Sequence, residues 1–172
     1  MHTLDDFESL GSKILHSGTT LAYHLVNTWK ILNAWQSPAH VCTAGLFHSA
    51  YQILPEPNRE CRDFLRAKVG RDAEAVIYHV HMIPAELLHR AAREEMPINV
   101  RGIDGASYRL DSELVSAVIA VDVASSLEQL LRIEVEAAQW GRERVLFLTS
   151  LHLLPRIGQE VVSEVWKLNA LD

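Results

Sequence analysis

Residues 113–131 read ELVSAVIAVDVASSLEQLL, a run that is apolar on every side of a helix for several turns. Such a helix has no face to give to water. Other elements must surround it, and a chain built round it folds as a helical bundle. Asp111 stands where its cap belongs. Asp122 falls in the middle of the run, where an ionised carboxylate is costly unless a cation, a metal, a histidine or strong donors meet it. Ser125, one turn on, shares its face.

Two earlier stretches each carry one inward-pointing histidine. In TLAYHLVNTWKILNAW, Leu21, Leu25, Thr28, Ile31, Leu32 and Trp35 recur at three- and four-residue steps, and His24 lies inside that stripe. After a short loop, Ser37 is placed to cap a second helix with Pro38 at its first position, and Val41, Ala44, Gly45, Tyr51 and Gln52 share a face with His48. A loop this short makes the two helices antiparallel neighbours, so His24 and His48 approach each other.

The remaining segments supply scaffold. Thr3 and Asp6 resemble a capping box for a short helix ending near Gly11, and Leu15 to Thr20 form a turn into the His24 helix. The hydroxyl residues flanking Gly18 in that turn, Ser17, Thr19 and Thr20, have two readings, an anion site at a helix N-terminus or plain capping by Thr19 or Thr20. Pro55 and Pro57 make a bend; helices follow over 58–69, closed by Gly70, from a cap at Asp72 through Met82, and over 85–95. His79 and His81 point to opposite sides of their helix, so at most one faces a common pocket. Pro97, Gly102 and Gly105 mark a small hairpin or ordered loop near 97–110, and further helices run over 133–154 and 159–168.

Length and charge narrow the partners. The 172 residues suit one domain, 1–172, with 48% hydrophobic and 22% charged residues. With 16 basic against 22 acidic residues, the net charge of -6 argues against nucleic acid. The one basic cluster, Arg59, Arg62, Arg66, Lys68 and Arg71, is interrupted by Glu60, Asp63 and Asp72 and reads as a solvated helix face. Cys42 and Cys61 form no metal or redox pair, no apolar run reaches the length of a membrane span, and the acidic start MHTLDDFESL is unlike a signal peptide. These features place the chain in the cytoplasm, away from membranes, and leave its oligomeric state open.

Laid out in order, LAYHLVNTWKIL, AGLFHSAYQ and VIAVDVASSLEQ resemble the HD-domain superfamily, the all-α fold of metal-dependent phosphohydrolases and some di-iron oxygenases. The similarity is closest to a bacterial branch with a His-Ser-Gly-x-Thr-Leu entry and an Ala-Gly-Leu-Phe-His-Ser-x-Tyr helix, matched here by His16-Ser17-Gly18, Thr20-Leu21 and Ala44 to Tyr51. Two departures stand out. The Asp of the family's His-Asp doublet is Ser49, which argues against a two-metal site, and where the branch has Tyr-Gly-Thr-Glu this chain has Tyr51-Gln52-Ile53-Leu54. The family's last Asp aligns with either Asp122 or Ser125, and with Ser125 the metal site would be gone.

Three functions follow. In the first, His24, His48 and Asp122 hold a single Fe, Mn or Zn ion, with His16 or His79 nearby, for hydrolysis or oxidation of a small molecule. In the second, no metal is bound; His16, His24 and His48 form an acid–base set for isomerisation, cyclisation or elimination in small-metabolite biosynthesis. Ser17, Thr20, Ser49, Tyr51, Gln52 and Ser125 are then candidates to bind substrate. In the third, the fold is a non-catalytic small-molecule-binding module whose histidines are core residues.

Overall fold

The computed structural model describes residues 15–16, 19–54, 58–94, 96–130 and 137–168, with backbone alone at 15–16, 137–141, 166 and 168. The fold is all-α with a small hairpin. Two short strands, β1 (Leu15–His16) and β2 (Thr19–Thr20), pair antiparallel and lead into α1 (Leu21–Ala34). Then come α2 (Ala39–Phe47), α3 (Ala50–Ile53), α4 (Arg59–Val69), α5 (Arg71–Met82) and α6 (Ala85–Ala91). The hairpin β3 (Ile98–Arg101) and β4 (Ser107–Leu110) precedes α7 (Ser112–Leu130), and α8 (Ala137–Ser150), a 3₁₀ turn (Leu151–Leu153) and α9 (Arg156–Leu168) complete the chain.

Helix α7 is the axis, as its sequence predicts. Val115, Val118, Ile119, Val121, Val123, Ala124 and Leu127 are all at most 1% exposed, and α1, α2, α5, α6 and α8 pack round them. Asp111 caps the helix, its Oδ1 accepting from Leu114 N–H at 2.9 Å. On α1 the predicted stripe is the buried one: Leu21, His24, Leu25, Thr28 and Leu32 face inward.

The second histidine helix differs from expectation. It is broken at His48 and Ser49 rather than continuous to Gln52, and Pro38 is its N-cap while Ser37 makes no capping bond. His48 Nδ1 donates to Gly45 O at 2.8 Å, the carbonyl that a continuing helix would offer to the Ser49 N–H. Gly45 itself lets α2 lie close against α1, since a Cβ there would run into Leu32 Cδ1 in a fully buried contact. Gly45→Ala is therefore expected to destabilise the fold by about 1–3 kcal/mol, seen as a lowered midpoint in urea at unchanged slope. An unchanged midpoint would mean the interface between α1 and α2 is looser than described.

The basic face of α4 is less solvated than its sequence implies. Glu74 on α5 is fully buried, and Arg62 Nε and Arg66 Nε donate to its two oxygens at 2.7 and 2.8 Å. Tyr51 O–H donates to the same carboxylate at 2.6 Å, and the Arg62 guanidinium lies 3.5 Å over the Tyr78 ring. Burial works against the Glu74 carboxylate, but hydrogen bonds from Arg62, Tyr51 and Arg66 outweigh it and hold the carboxyl below its ordinary range. Gly70, at φ +89°, ends α4 and starts α5 directly, so Asp72 falls inside the helix rather than at its cap. The hairpin pairs Ile98 with Leu110 and Val100 with Tyr108, buries Ile98, Val100 and Leu110, and fastens to α5 where Ile103 N–H donates to Met82 O at 2.8 Å. Among the described residues no helix is long and apolar enough to cross a membrane.

Candidate active site around His24 and His48

Helices α1, α2 and α7 bring three polar side chains to one point. His24 Nε2 lies 3.3 Å from His48 Nε2, and Ser125 Oγ is 3.2 Å from the first and 3.3 Å from the second. The two rings meet edge to face with centroids 5.1 Å apart. His24 is wholly buried and His48 is 8% exposed, while Ser125 is only partly buried.

Each ring is fixed from behind. Glu128 Oε2, on α7, is 2.5 Å from His24 Nδ1, and a carboxylate only accepts, so Nδ1 carries the proton. Gly45 O likewise accepts from His48 Nδ1. With both Nδ1 atoms committed as donors, the neutral form of each ring presents an Nε2 lone pair to the other. The single Ser125 O–H serves one Nε2; a proton on one ring lets it donate to its neighbour. The geometry is that of two imidazole nitrogens, with room for one proton between them, converging on a hydroxyl, with a carboxylate behind one ring.

Asp122 does not join them. Its Oδ2 is 2.9 Å from His89 Nε2, and His89 Nδ1 faces Ser150 Oγ at 2.6 Å and Leu146 O at 3.1 Å, tying α6, α7 and α8 together. This second constellation has a serine, a histidine and an aspartate in line, but Ser150 and His89 are both wholly buried, so it serves as a structural tie. Burial and the nearby Asp122 carboxylate push the Glu143 carboxyl up. Asp122→Asn is expected to weaken the fold by about 1–3 kcal/mol while leaving the His24 and His48 ring resonances in place. Movement of those resonances would contradict the separation of the two clusters.

The other sequence candidates are distributed as follows. Thr20 is the N-cap of α1, accepting from Tyr23 N–H at 3.2 Å, the capping use of the two that its turn allowed. Ser49 is buried at the break between α2 and α3. Tyr51 is turned to Glu74 rather than to the histidines, and Gln52 is exposed. His79 donates from Nδ1 to Ala75 O at 2.7 Å and packs edge-on against Tyr78 and Tyr108, and burial lowers its pKa. The His16 side chain and Ser17 lie outside the described residues. Ser125, which competed with Asp122 for the last position of the motif, is the residue that faces the histidines.

These positions decide whether the metal implied by the resemblance fits. Hydrogen bonds that Nδ1 donates, like those to Glu128 and to Gly45 O, do orient metal-bound imidazoles. The expected third ligand, however, is committed to His89, and among the described residues no group of three or more His, Cys, Asp and Glu side chains is placed to hold an ion. The set His24, His48 and Asp122 does not fit a metal.

Sequence reasoning passed over Glu128. It sits in the same apolar helix as Asp122, so the same cost of burial applies to it, but its place two residues from the helix end reads as exposed. His89 was likewise missed, because its partners are distant in sequence.

Residues 7–84 match a domain of unknown function (DUF6817). That span is less than half of the chain and includes His24 and His48 but not Ser125 or Glu128. No curated protein and no solved structure shows significant similarity to the chain.

Proposed function

We propose that the chain is a cytoplasmic small-molecule enzyme on an HD-like helical fold that works by histidine acid–base chemistry without a metal. The observation that carries this reading is the approach of His24 Nε2 to His48 Nε2, 3.3 Å apart, with both Nδ1 atoms tied down. One proton shared between the two Nε2 atoms leaves one ring as base and the other as acid. Substrate enters beside Ser125, whose hydroxyl orients it. The proton-free Nε2 takes a proton from one substrate atom, and the protonated ring returns one to a neighbouring atom or to a leaving group. Glu128 stabilises the charged form of His24 while this happens.

Two nitrogens this close suit a proton shift between adjacent atoms, and isomerisation or elimination is the reaction class they support best. A purely structural role fits less well, because a core histidine is satisfied by bonds such as that of His79 to Ala75 O and needs no second imidazole opposite it. The test is to incubate purified protein with a small-metabolite extract and follow consumption and formation by mass spectrometry. Conversion should survive chelator treatment and vanish in His24→Asn. Conversion that the chelator abolishes, or that His24→Asn retains, overturns the reading, as does a folded protein that converts nothing.

A further inference from the structure

By its periodicity α2 would run on to Gln52, with His48 and Tyr51 on one face. In the structure the chain turns at His48 and Ser49, and the two side chains part: His48 meets His24, and Tyr51 meets Glu74 on α5. The broken and the unbroken helix compete for one acceptor. Gly45 O takes the His48 Nδ1 proton at 2.8 Å, whereas an unbroken helix would give that carbonyl to the Ser49 N–H. A His48 displaced from Gly45 O loses the bond that sets its tautomer, and with it the lone pair that Nε2 presents to His24.

Helix α3 does not hold the break by itself. It is a single turn, Ala50–Ile53, and the Ser49 side chain makes no capping bond to it. One turn of helix is unfavourable unless something outside fixes it. Here Ala50 and Tyr51 are both buried, and the Tyr51 ring packs against Tyr78 and His81 with centroids 5.9 and 5.8 Å away. The Tyr51 O–H donates to Glu74 at 2.6 Å, and Arg62 and Arg66 on α4 hold both oxygens of that carboxylate in place. One charge-assisted bond thus joins the short turn to two longer helices. Continuing α2 as a regular helix would break it, because Tyr51 would swing to the side of His48.

We propose that Tyr51 is a positioning residue for His48: anchored on Glu74, it keeps α2 from continuing past His48 and so reserves Gly45 O for the His48 Nδ1 proton. It acts through the backbone, three residues along the chain from the ring that it positions. The effect on turnover rests on the acid–base function proposed above, whereas the effect on the His48 ring does not.

The experiment reads two NMR signals of the full-length, ¹⁵N-labelled chain, the ring nitrogens of His48 and the hydrogen exchange of the Ser49 N–H. Tyr51→Phe keeps the ring packing and removes only the hydroxyl of the anchor. It should lose the protonated Nδ1 signal of His48 and slow Ser49 exchange about tenfold, the scale of one backbone hydrogen bond gained. His24 should keep its Nδ1 proton on Glu128. Glu74→Gln weakens the same bond from its other end, so it should move both signals in the same direction by less, and it serves also if Tyr51→Phe does not fold. Tyr78→Phe removes a neighbouring phenol that bonds to Tyr108 instead, and should move neither signal. Where a reaction is followed, Tyr51→Phe should lower kcat with KM little changed. An unchanged His48 ring in both anchor variants, or an equal change in Tyr78→Phe, would overturn the proposal. A His48 change in a chain that converts nothing would support the anchor and refute the proposed reaction alone.

Discussion

Glu74→Ala is expected to lower the free energy of unfolding by about 3–5 kcal/mol, the largest stability effect of any single substitution considered for this chain. The carboxylate is wholly buried and accepts from Arg62, Arg66 and Tyr51 at once. Removing it leaves the buried Tyr51 phenol and the Arg62 guanidinium, which is 23% exposed, without their acceptor, while Arg66, at the surface, keeps Asp63. Glu74→Gln keeps the volume and one acceptor, so it should cost less than Ala yet still unfold at clearly lower denaturant.

The pH dependence follows from the same contacts. Burial alone would raise the Glu74 pKa, but its donors hold it below the ordinary 4.5. Its contribution is therefore fully present above about pH 4.5 and is lost as pH falls through the lower folded-state value. Denaturant titrations at stepwise lower pH should show this acid-side loss in the unaltered chain and a shallower slope in Glu74→Gln. Equal slopes would place the acid sensitivity elsewhere.

Glu128→Gln is expected to be the most damaging conservative change to function. The amide keeps the size of the carboxylate but removes the charge that stabilises a protonated His24, and it can present an N–H to Nδ1, which would force the opposite tautomer. Turnover should fall by about a hundredfold to ten-thousandfold, the range set by losing one positioned acid–base group, with KM little changed. Ser125→Ala should instead raise KM more than it lowers kcat, because the hydroxyl orients substrate rather than carrying its proton. If Glu128→Gln alters KM alone, Glu128 is a packing residue and the proton-transfer account fails.

The frame was legible because its signals are local and periodic. The all-round apolar character of α7 made it central, and three- and four-residue steps placed His24 and His48 on inner faces. The pairing of those two rings followed from one short loop. What sequence did not show was which carboxylate each histidine meets. On α7, Asp122 and Glu128 lie six residues apart, nearly two helical turns, so they are separated by about 9 Å along the axis and reach different neighbours. Asp122 is at the level of α6 and α8, where His89 waits; Glu128 is at the level of α1. That ordering depends on how α7 slides past its neighbours, which periodicity does not encode. Likewise the break at His48 arises from a side-chain bond to Gly45 O, competing with a backbone bond that the pattern alone would predict.

The central claim is that His24 and His48 turn their Nε2 atoms toward one another because Glu128 and Gly45 O hold the opposite nitrogens. Long-range ¹H–¹⁵N correlation spectra of histidine-labelled protein at neutral pH read this directly. The account predicts a protonated Nδ1 on both rings, one proton shared at the Nε2 side, and a change in both rings when Glu128 becomes Gln. Two rings each in the Nε2–H tautomer, indifferent to that substitution, would contradict it.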